Sequence, residues 1–303
     1  MEKGKNKSRL SIWWQAVRAF SFTASIMPVT VGAAVVYAEG LPAIWWLFPF
    51  IALSSVLLHA ATNLVNDYFD FKKGLDREDT KGGSRALPLG LLTPEEVIKG
   101  AYVLFLAAAL FGVVIIWVRG WPILLLGLIG LVGGYFYSGG PMGYKYVALG
   151  DLCVFVLMGP LMVVGSHFAL SGTWSLTAFY FSLPIGCLVA SILCANNYRD
   201  RRDDGITGSK TMANLLPPKL ARLEYYGLVL GAYLLVGLFY ILGFGKVFSL
   251  TVYLTLPIAL NNIMVLVRDP SGQSENVSTL DVNSAQLHLA FSLLLVISLV
   301  AGA

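Results

Sequence analysis

The sequence predicts an all-α integral membrane protein of about nine transmembrane helices with its N-terminus in the cytoplasm. Three observations carry that expectation: composition, the length of the apolar blocks, and the placement of charge. Of the 303 residues, 57% are hydrophobic and only 13% charged, with a mean hydropathy of +0.73. A soluble domain carries about 25% charged residues. The apolar residues arrive in blocks of roughly 20, the length that crosses a bilayer core of about 30 Å as a helix. In lipid each backbone amide must be satisfied within its own segment, so these blocks are helical. They do not alternate as the strands of a membrane barrel would.

Taken in order, residues 1–11 form a basic segment that no short apolar stretch with a small-residue cleavage site follows, so the first span, 12–37, is expected to be retained. The second, 43–70, runs directly into a polar cluster, Asn63–Asp76, and the loop 71–96 follows. Spans 97–118 and 121–138 are separated only by Arg119 and Gly120. Span 149–170 opens on Gly150-Asp151, and span 175–197 enters a second polar cluster, Asn196–Asp204, ahead of the loop 198–221. Spans 222–242 and 247–267, the loop 268–283 and span 284–302 complete a single domain covering 1–303. The two long polar loops each follow an even-numbered span, which suggests two equivalent halves of four helices with a ninth added.

With nine spans, nineteen of the 21 lysines and arginines fall on the side of the N-terminus and both clusters; only Arg119 and Lys246 lie opposite. That bias puts this side in the cytoplasm and locates the chain in the inner, cytoplasmic membrane. The net charge of +4 therefore reports topology, and no basic patch interleaved with stacking aromatics indicates a nucleic-acid partner. Cys153, Cys187 and Cys194 all lie within apolar blocks without metal-type spacing and read as buried packing residues.

The clusters carry the chemistry. In Asn63-Leu-Val-Asn66-Asp67-Tyr-Phe-Asp70, residues three, four and seven apart share a helix face. In Asn196-Asn197-Tyr-Arg199-Asp200-Arg-Arg-Asp203-Asp204, Asn196 and Asp200 align with Asp203 or Asp204, while Asp76 falls just past Gly74. Ionisable groups at membrane depth are costly and mark functional sites. Two facing carboxylate stripes repel unless cations lie between them, and an all-oxygen donor set selects Mg²⁺, or Mn²⁺, over zinc or copper. Mg²⁺ shares its shell readily with substrate phosphate. Arg85, Lys145, Arg199 and Lys210 lie on the same side to meet the remaining phosphate charge. If the phosphate is an allylic diphosphate, its departure leaves a carbocation, which Tyr68, Phe69, Phe71, Tyr135, Phe136, Tyr137 and Tyr198 are near enough in sequence to shield.

Asn66-Asp67-Tyr-Phe-Asp70…Gly74-Leu-Asp76 and Asn196-Asn197-Tyr-Arg199-Asp200-x-x-x-Asp204 resemble the two Asp-rich motifs of the UbiA-type membrane prenyltransferases. Within that superfamily the chain looks most like the bacterial 1,4-dihydroxy-2-naphthoate prenyltransferases of menaquinone synthesis. Gly82-Gly-Ser-Arg85, Gly90-Leu-Leu-Thr93, Tyr137-Ser-Gly-Gly-Pro141, Gly150-Asp151 and Gly208-x-x-Thr211 add to the likeness. The resemblance implies nine helices around a central cavity open sideways to lipid, two Mg²⁺ ions, a polyprenyl diphosphate donor and an aromatic acceptor. By motif position it implies metal binding by Asn66, Asp70, Asp76, Asp200 and Asp204, diphosphate contact by Asn66, Asn197 and Arg199, and Asp67 alongside Asp70, Asp200 and Asp204 among the catalytic residues. The related enzymes read Gly-Lys-x-Thr after the second motif, whereas Gly208-Ser209-Lys210-Thr211 moves the lysine by one place.

On the acceptor side, loss of CO₂ and a proton from a dihydroxynaphthoate requires a base, for which Asp67, Tyr137, Lys145 and Asp151 are candidates. His59 lies one turn before Asn63, while His167 and His288 are isolated. Other acceptors are 4-hydroxybenzoate, homogentisate, chlorophyllide, haem or a glycerol phosphate lipid. A transporter would hold its polar site at the bilayer midplane, whereas these acids sit at span ends, and an accessory membrane protein leaves them without a use.

Overall fold

A computed structural model describes residues 8–78, 82–140, 143–269 and 274–303. The described residues form helices α1 (Arg9–Ala16), α2 (Thr23–Ala38), α3 (Phe48–Lys72), α4 (Pro94–Arg119), α5 (Trp121–Phe136), α6 (Gly150–Val156), α7 (Met162–Ser171), α8 (Leu176–Thr207), α9 (Met212–Leu215), α10 (Pro218–Ile241), α11 (Leu256–Arg268), α12 (Glu275–Ser278) and α13 (Leu280–Ala301). Eight helical segments among them are long and apolar enough to cross a bilayer, and the apolar α5 is shorter at 16 residues.

Three boundaries differ from the sequence expectation, each for a local reason. The first crossing begins at Ala19 rather than at 12. Arg18 adopts left-handed φ 55° and ψ 53°, a conformation that ends α1 and redirects the chain. The sixth crossing does not stop at 197 but continues as α8 to Thr207, where Gly208 at φ 80° closes it. The polar run Asn196–Asp204 is thus helix and not loop, which keeps its side chains in a fixed stripe. The third crossing starts at Pro94, fixed by a capping box in which the Thr93 hydroxyl accepts from the Glu96 amide and Glu96 accepts from the Thr93 amide.

Within the fifth crossing a π turn at Leu157–Leu161 containing Pro160 divides α6 from α7. There Gly159 meets α8 so closely that an added Cβ would sit 2.6 Å from the Gly186 Cα. The pairing order α2–α3–α4–α5 recurs as α6/α7–α8–α10–α11, and α13 packs against both α2 and α8. The larger core gathers α8, α10 and α13 around Phe181, Tyr225 and Phe291; a second, at the acidic end, holds Leu64, Val65 and Phe105. Exposed Trp45, Trp46, Trp117, Trp121 and Trp174 ring the end opposite the acids, as an interfacial belt does.

Candidate active site

The ends of α3 and α8 bring the two stripes together. A small polar cavity between them is lined by Asn66 and Asp70 from α3, Asp76, Gly82 and Gly83 from the following loop, and Asn196, Asn197, Asp200, Asp203 and Asp204 from α8, with Arg18 and Lys145. Five carboxylates thus face two protein cations. Asp76 arrives because Gly74, at φ 71°, turns the chain back over the end of α3, where the Asp76 amide donates to the Asp70 carbonyl at 3.3 Å.

The first stripe is held by the protein itself. Lys145 Nζ donates to Asp70 Oδ2 at 2.5 Å and to Asn66 Oδ1 at 2.7 Å. The Tyr146 hydroxyl donates to Asp70 Oδ1 at 2.8 Å, and Ser138 donates to Asn66 Oδ1 at 2.8 Å. Asp67, in contrast, does not line the cavity: it is buried in an ion pair with Arg18 and a hydrogen bond from Ser84. One residue past Asn66, it is turned about 100° round the helix, toward the break after α1 and the 82–84 loop. Although burial works against its charge, Asp67, Asp76 and Asp70 hold the Arg18 guanidinium firmly protonated.

Of the cations expected to meet phosphate, Lys145 lines the cavity and three others do not. Arg199 forks onto its neighbour Asp200 at 2.8 and 2.9 Å and reaches Asp281 of α13 at 2.6 Å. Arg85 sits at φ 60° and donates to the Glu78 carbonyl at 2.8 Å. Lys210 has an exposed side chain, and its backbone pairs with Tyr146 and Ala148. That bridge, with Thr211 capping α9 and Asn214 donating to the Ser209 carbonyl at 2.6 Å, ties the loop after α8 to the loop that presents Lys145. The Gly208–Thr211 stretch therefore acts as a staple. Asn197 lines the cavity while donating to both Asp151 oxygens at 3.3 Å.

By sequence alone Arg18 is one more positive charge on the side of the N-terminus. The signal that exposes the aspartates, an ionisable residue between apolar runs, applies equally to it. The Gly82-Gly83 pair has a clear steric role: an added Cβ would fall 2.6 Å from Asp200 Oδ2 at Gly82 and 2.6 Å from Asp76 Oδ2 at Gly83, where φ is also 70°. A side chain at either position would force the facing carboxylate to shift. Burial, followed by the charges of Asp70 and Asp67, pushes Asp76 up to about 7, the mark of a carboxylate set short of positive charge. The hard-oxygen donors Asn66, Asp70, Asp76, Asp200 and Asp204, so crowded, suit Mg²⁺.

The polar cavity adjoins a chamber of about 490 Å³ that shares Arg18, Asn66, Lys145 and Asn196 with it and extends between α3, α4, α5 and α7 to Ile123 and Ala169. Of the aromatics expected to shield the cation, Tyr137 lines this chamber. Tyr68, Phe69 and Tyr135 pack in the second core, and Phe71 and Phe136 are exposed.

A model of the UbiA prenyltransferase family matches residues 25–298. UbiA prenyltransferase domain-containing protein 1 of Xenopus tropicalis is 32% identical over 298 residues, 97% of this chain and 83% of that protein. The 1,4-dihydroxy-2-naphthoate octaprenyltransferase of Bacillus subtilis is 34% identical over 217 residues, 71% of this chain and 69% of that one. Among solved structures, a UbiA homolog from Archaeoglobus fulgidus bound to GPP and Mg²⁺ superposes with a TM-score of 0.64 at 17% identity, covering 96% of this chain and 100% of that chain. A UbiA homolog from Aeropyrum pernix gives 0.67 at 18% identity, covering 94% and 98%. Those two share the fold.

Proposed function

The chain belongs to the UbiA prenyltransferase family, whose members are membrane-embedded enzymes, and from that premise we propose Mg²⁺-dependent transfer of a polyprenyl group from its diphosphate to 1,4-dihydroxy-2-naphthoate or a closely related two-ring aromatic. The observation that carries this reading is the junction: an oxygen-lined, acid-rich cavity adjoins an apolar chamber of about 490 Å³ across a shared wall of Arg18, Asn66, Lys145 and Asn196. A diphosphate with an isoprenoid tail is amphipathic in the same sense and direction.

Bound to the diphosphate, Mg²⁺ would stabilise the charge that develops as it leaves. Asn66, Asp70, Asp76, Asp200 and Asp204 would hold it. Lys145 and Arg18, at the shared rim, would meet diphosphate oxygens while remaining anchored on Asp70 and Asp67. The chamber walls would keep water from the reactive carbon, and the Tyr137 ring, with Lys145 Nζ 5.9 Å over its centroid, lines the chamber. The naphthoate acceptor is supported by the name of the Bacillus subtilis relative; the family assignment itself does not choose the ring. We place the acidic end at the cytoplasmic face, from the nineteen-to-two distribution of lysine and arginine.

Purified protein in lipid, given one labelled prenyl diphosphate and a panel of acceptors, tests the reading by product mass. The expected product is the decarboxylated prenyl naphthoquinol, formed with Mg²⁺ and lost in EDTA. Undiminished turnover in EDTA contradicts the metal requirement, and prenylation of another acceptor alone contradicts the naphthoate.

A further inference from the structure

The polar stripe of α3 does not end at Asn66. Toward the opposite membrane face Asn63, Thr62, His59 and Ser55 also line the large chamber, at the three- and four-residue spacing of one helix face. The wall across from them, including Leu128, Leu131, Leu157, Met158, Val189 and Ile192, is apolar. A prenyl tail needs only that apolar wall. Polar groups along the other side are costly in such a place unless something pairs with them, so the stripe calls for an occupant with polar substituents.

Half of the stripe is already committed to backbone. Thr62 donates to the Leu58 carbonyl at 2.9 Å, and the Asn63 amide donates to the Val17 carbonyl at 2.9 Å. His59 differs. Its Nδ1 lies 2.7 Å from Ser25 Oγ, whereas its Nε2 reaches only Ser21 Oγ, at 3.4 Å, the outer limit of a hydrogen bond. Phe22 packs edge-on to the ring at 5.9 Å. Ser21 spends its hydroxyl hydrogen on the Arg18 carbonyl at 2.8 Å, so it has none to give Nε2; in the tautomer with Nδ1–H on Ser25, Nε2 is an acceptor that neither serine supplies with a hydrogen. The remaining histidines do not line the chamber: His167 pairs with Glu39 at 2.8 Å near the far end, and His288 is buried in α13. His59 stands two turns, about 10 Å, along α3 from Asn66. That leaves room for a two-ring molecule between it and the diphosphate end.

We infer that Ser21, Ser25, His59 and Asn63 form the seat of the aromatic acceptor, with His59 Nε2 accepting a hydrogen bond from a ring hydroxyl. The inference rests on the reading of the protein as an aromatic prenyltransferase and adds the residues that recognise the acceptor, which the acidic clusters do not address. A hydroxyl held in this way donates electron density to the ring carbon that attacks, and it orients that carbon toward the shared rim.

The test is steady-state kinetics on the full-length protein in lipid, with the acceptor and donor varied separately, using His59→Phe, His59→Gln and Ser25→Ala. His59→Phe should raise the acceptor KM about tenfold or more, the loss of one buried hydrogen bond. The donor KM should stay within about twofold, and Mg²⁺-dependent thermal stabilisation by the prenyl diphosphate should be unchanged. His59→Gln, which keeps an acceptor atom, should recover part of the loss. An unchanged acceptor KM, or a parallel rise in the donor KM, overturns the seat. Should His59→Phe not fold, Ser25→Ala decides by the same criterion. Wild-type protein that binds the donor with Mg²⁺ yet prenylates no aromatic acceptor overturns the underlying reading instead.

Discussion

The two acidic stripes are alike in sequence and differ in how far the fold neutralises them. On α3, Asn66, Asp67 and Asp70 are buried, and each carboxylate already has a cation: Arg18 on Asp67 and Lys145 on Asp70. On α8, Asp200, Asp203 and Asp204 are partly exposed. Only Asp200 is paired, by Arg199 from the adjacent position, and among the described residues no cation pairs with Asp203 or Asp204. The α3 stripe is neutralised by the fold itself, the α8 stripe only in part. A pair of matched stripes with unmatched charge is what a site needs if it is to be rigid before a metal–diphosphate arrives and still gain from its arrival.

That contrast can be broken at several points. The largest effect is expected at the reacting end. Asp70→Asn and Asp204→Asn should each lower turnover at least about a hundredfold, yet differ in stability. Asp70→Asn leaves Lys145 with Asn66 as its remaining partner and should lower the melting temperature, while Asp204→Asn breaks no ion pair and should leave it unchanged or raise it. Equal losses of stability would erase the distinction between the halves. Next in size, Arg18→Gln strands Asp67, buried with Ser84 as its remaining partner, and should cost about 3 kcal/mol. Chemical denaturation in detergent would measure it, and adding Asp67→Asn should recover part of the loss. Gly83→Ala places a methyl against Asp76 at a backbone φ of 70°. It should cost about 1 kcal/mol and raise the Mg²⁺ concentration needed for half-maximal turnover. The smallest effect is expected from Thr211→Ala, which removes the α9 cap at a cost of about 1 kcal/mol and loosens the bridge to the Lys145 loop; melting and donor KM report the two consequences.

Much of this architecture is legible in the chain itself, because a bilayer leaves the backbone so few options. Apolar blocks of the right length can only be helices, and most of their boundaries follow. The exceptions are informative. The sixth span is longer than its apolar part because Asn196–Asp204 continues the helix despite its charge. The first is shorter because Arg18 takes a left-handed conformation that serves Asp67. The stripes themselves follow from helical spacing, as do Asn66, Asp70, Asp200 and Asp204 at the cavity wall. Spacing cannot show which side chains arrive from elsewhere. Arg18, Ser84, Ser138 and Tyr146 reach the first stripe through contacts 17 to 76 residues apart in sequence. For the same reason Arg199, Arg85 and Lys210, plausible by charge and position, are engaged with other partners or turned outward. Asp67, inside the motif, faces Arg18 and not the cavity, a matter of about 100° on one helix.

The most direct test of the central claim, that the two stripes are halves of one metal–diphosphate site, is the melting temperature of the purified protein with Mg²⁺, with geranyl diphosphate, and with both. Ligand at a hundred times its dissociation constant stabilises a fold by about 2.7 kcal/mol. The expected result is a clear rise only when both are present, abolished in Asp70→Asn and equally in Asp204→Asn. The same rise in EDTA, or its survival in either variant, would contradict the account.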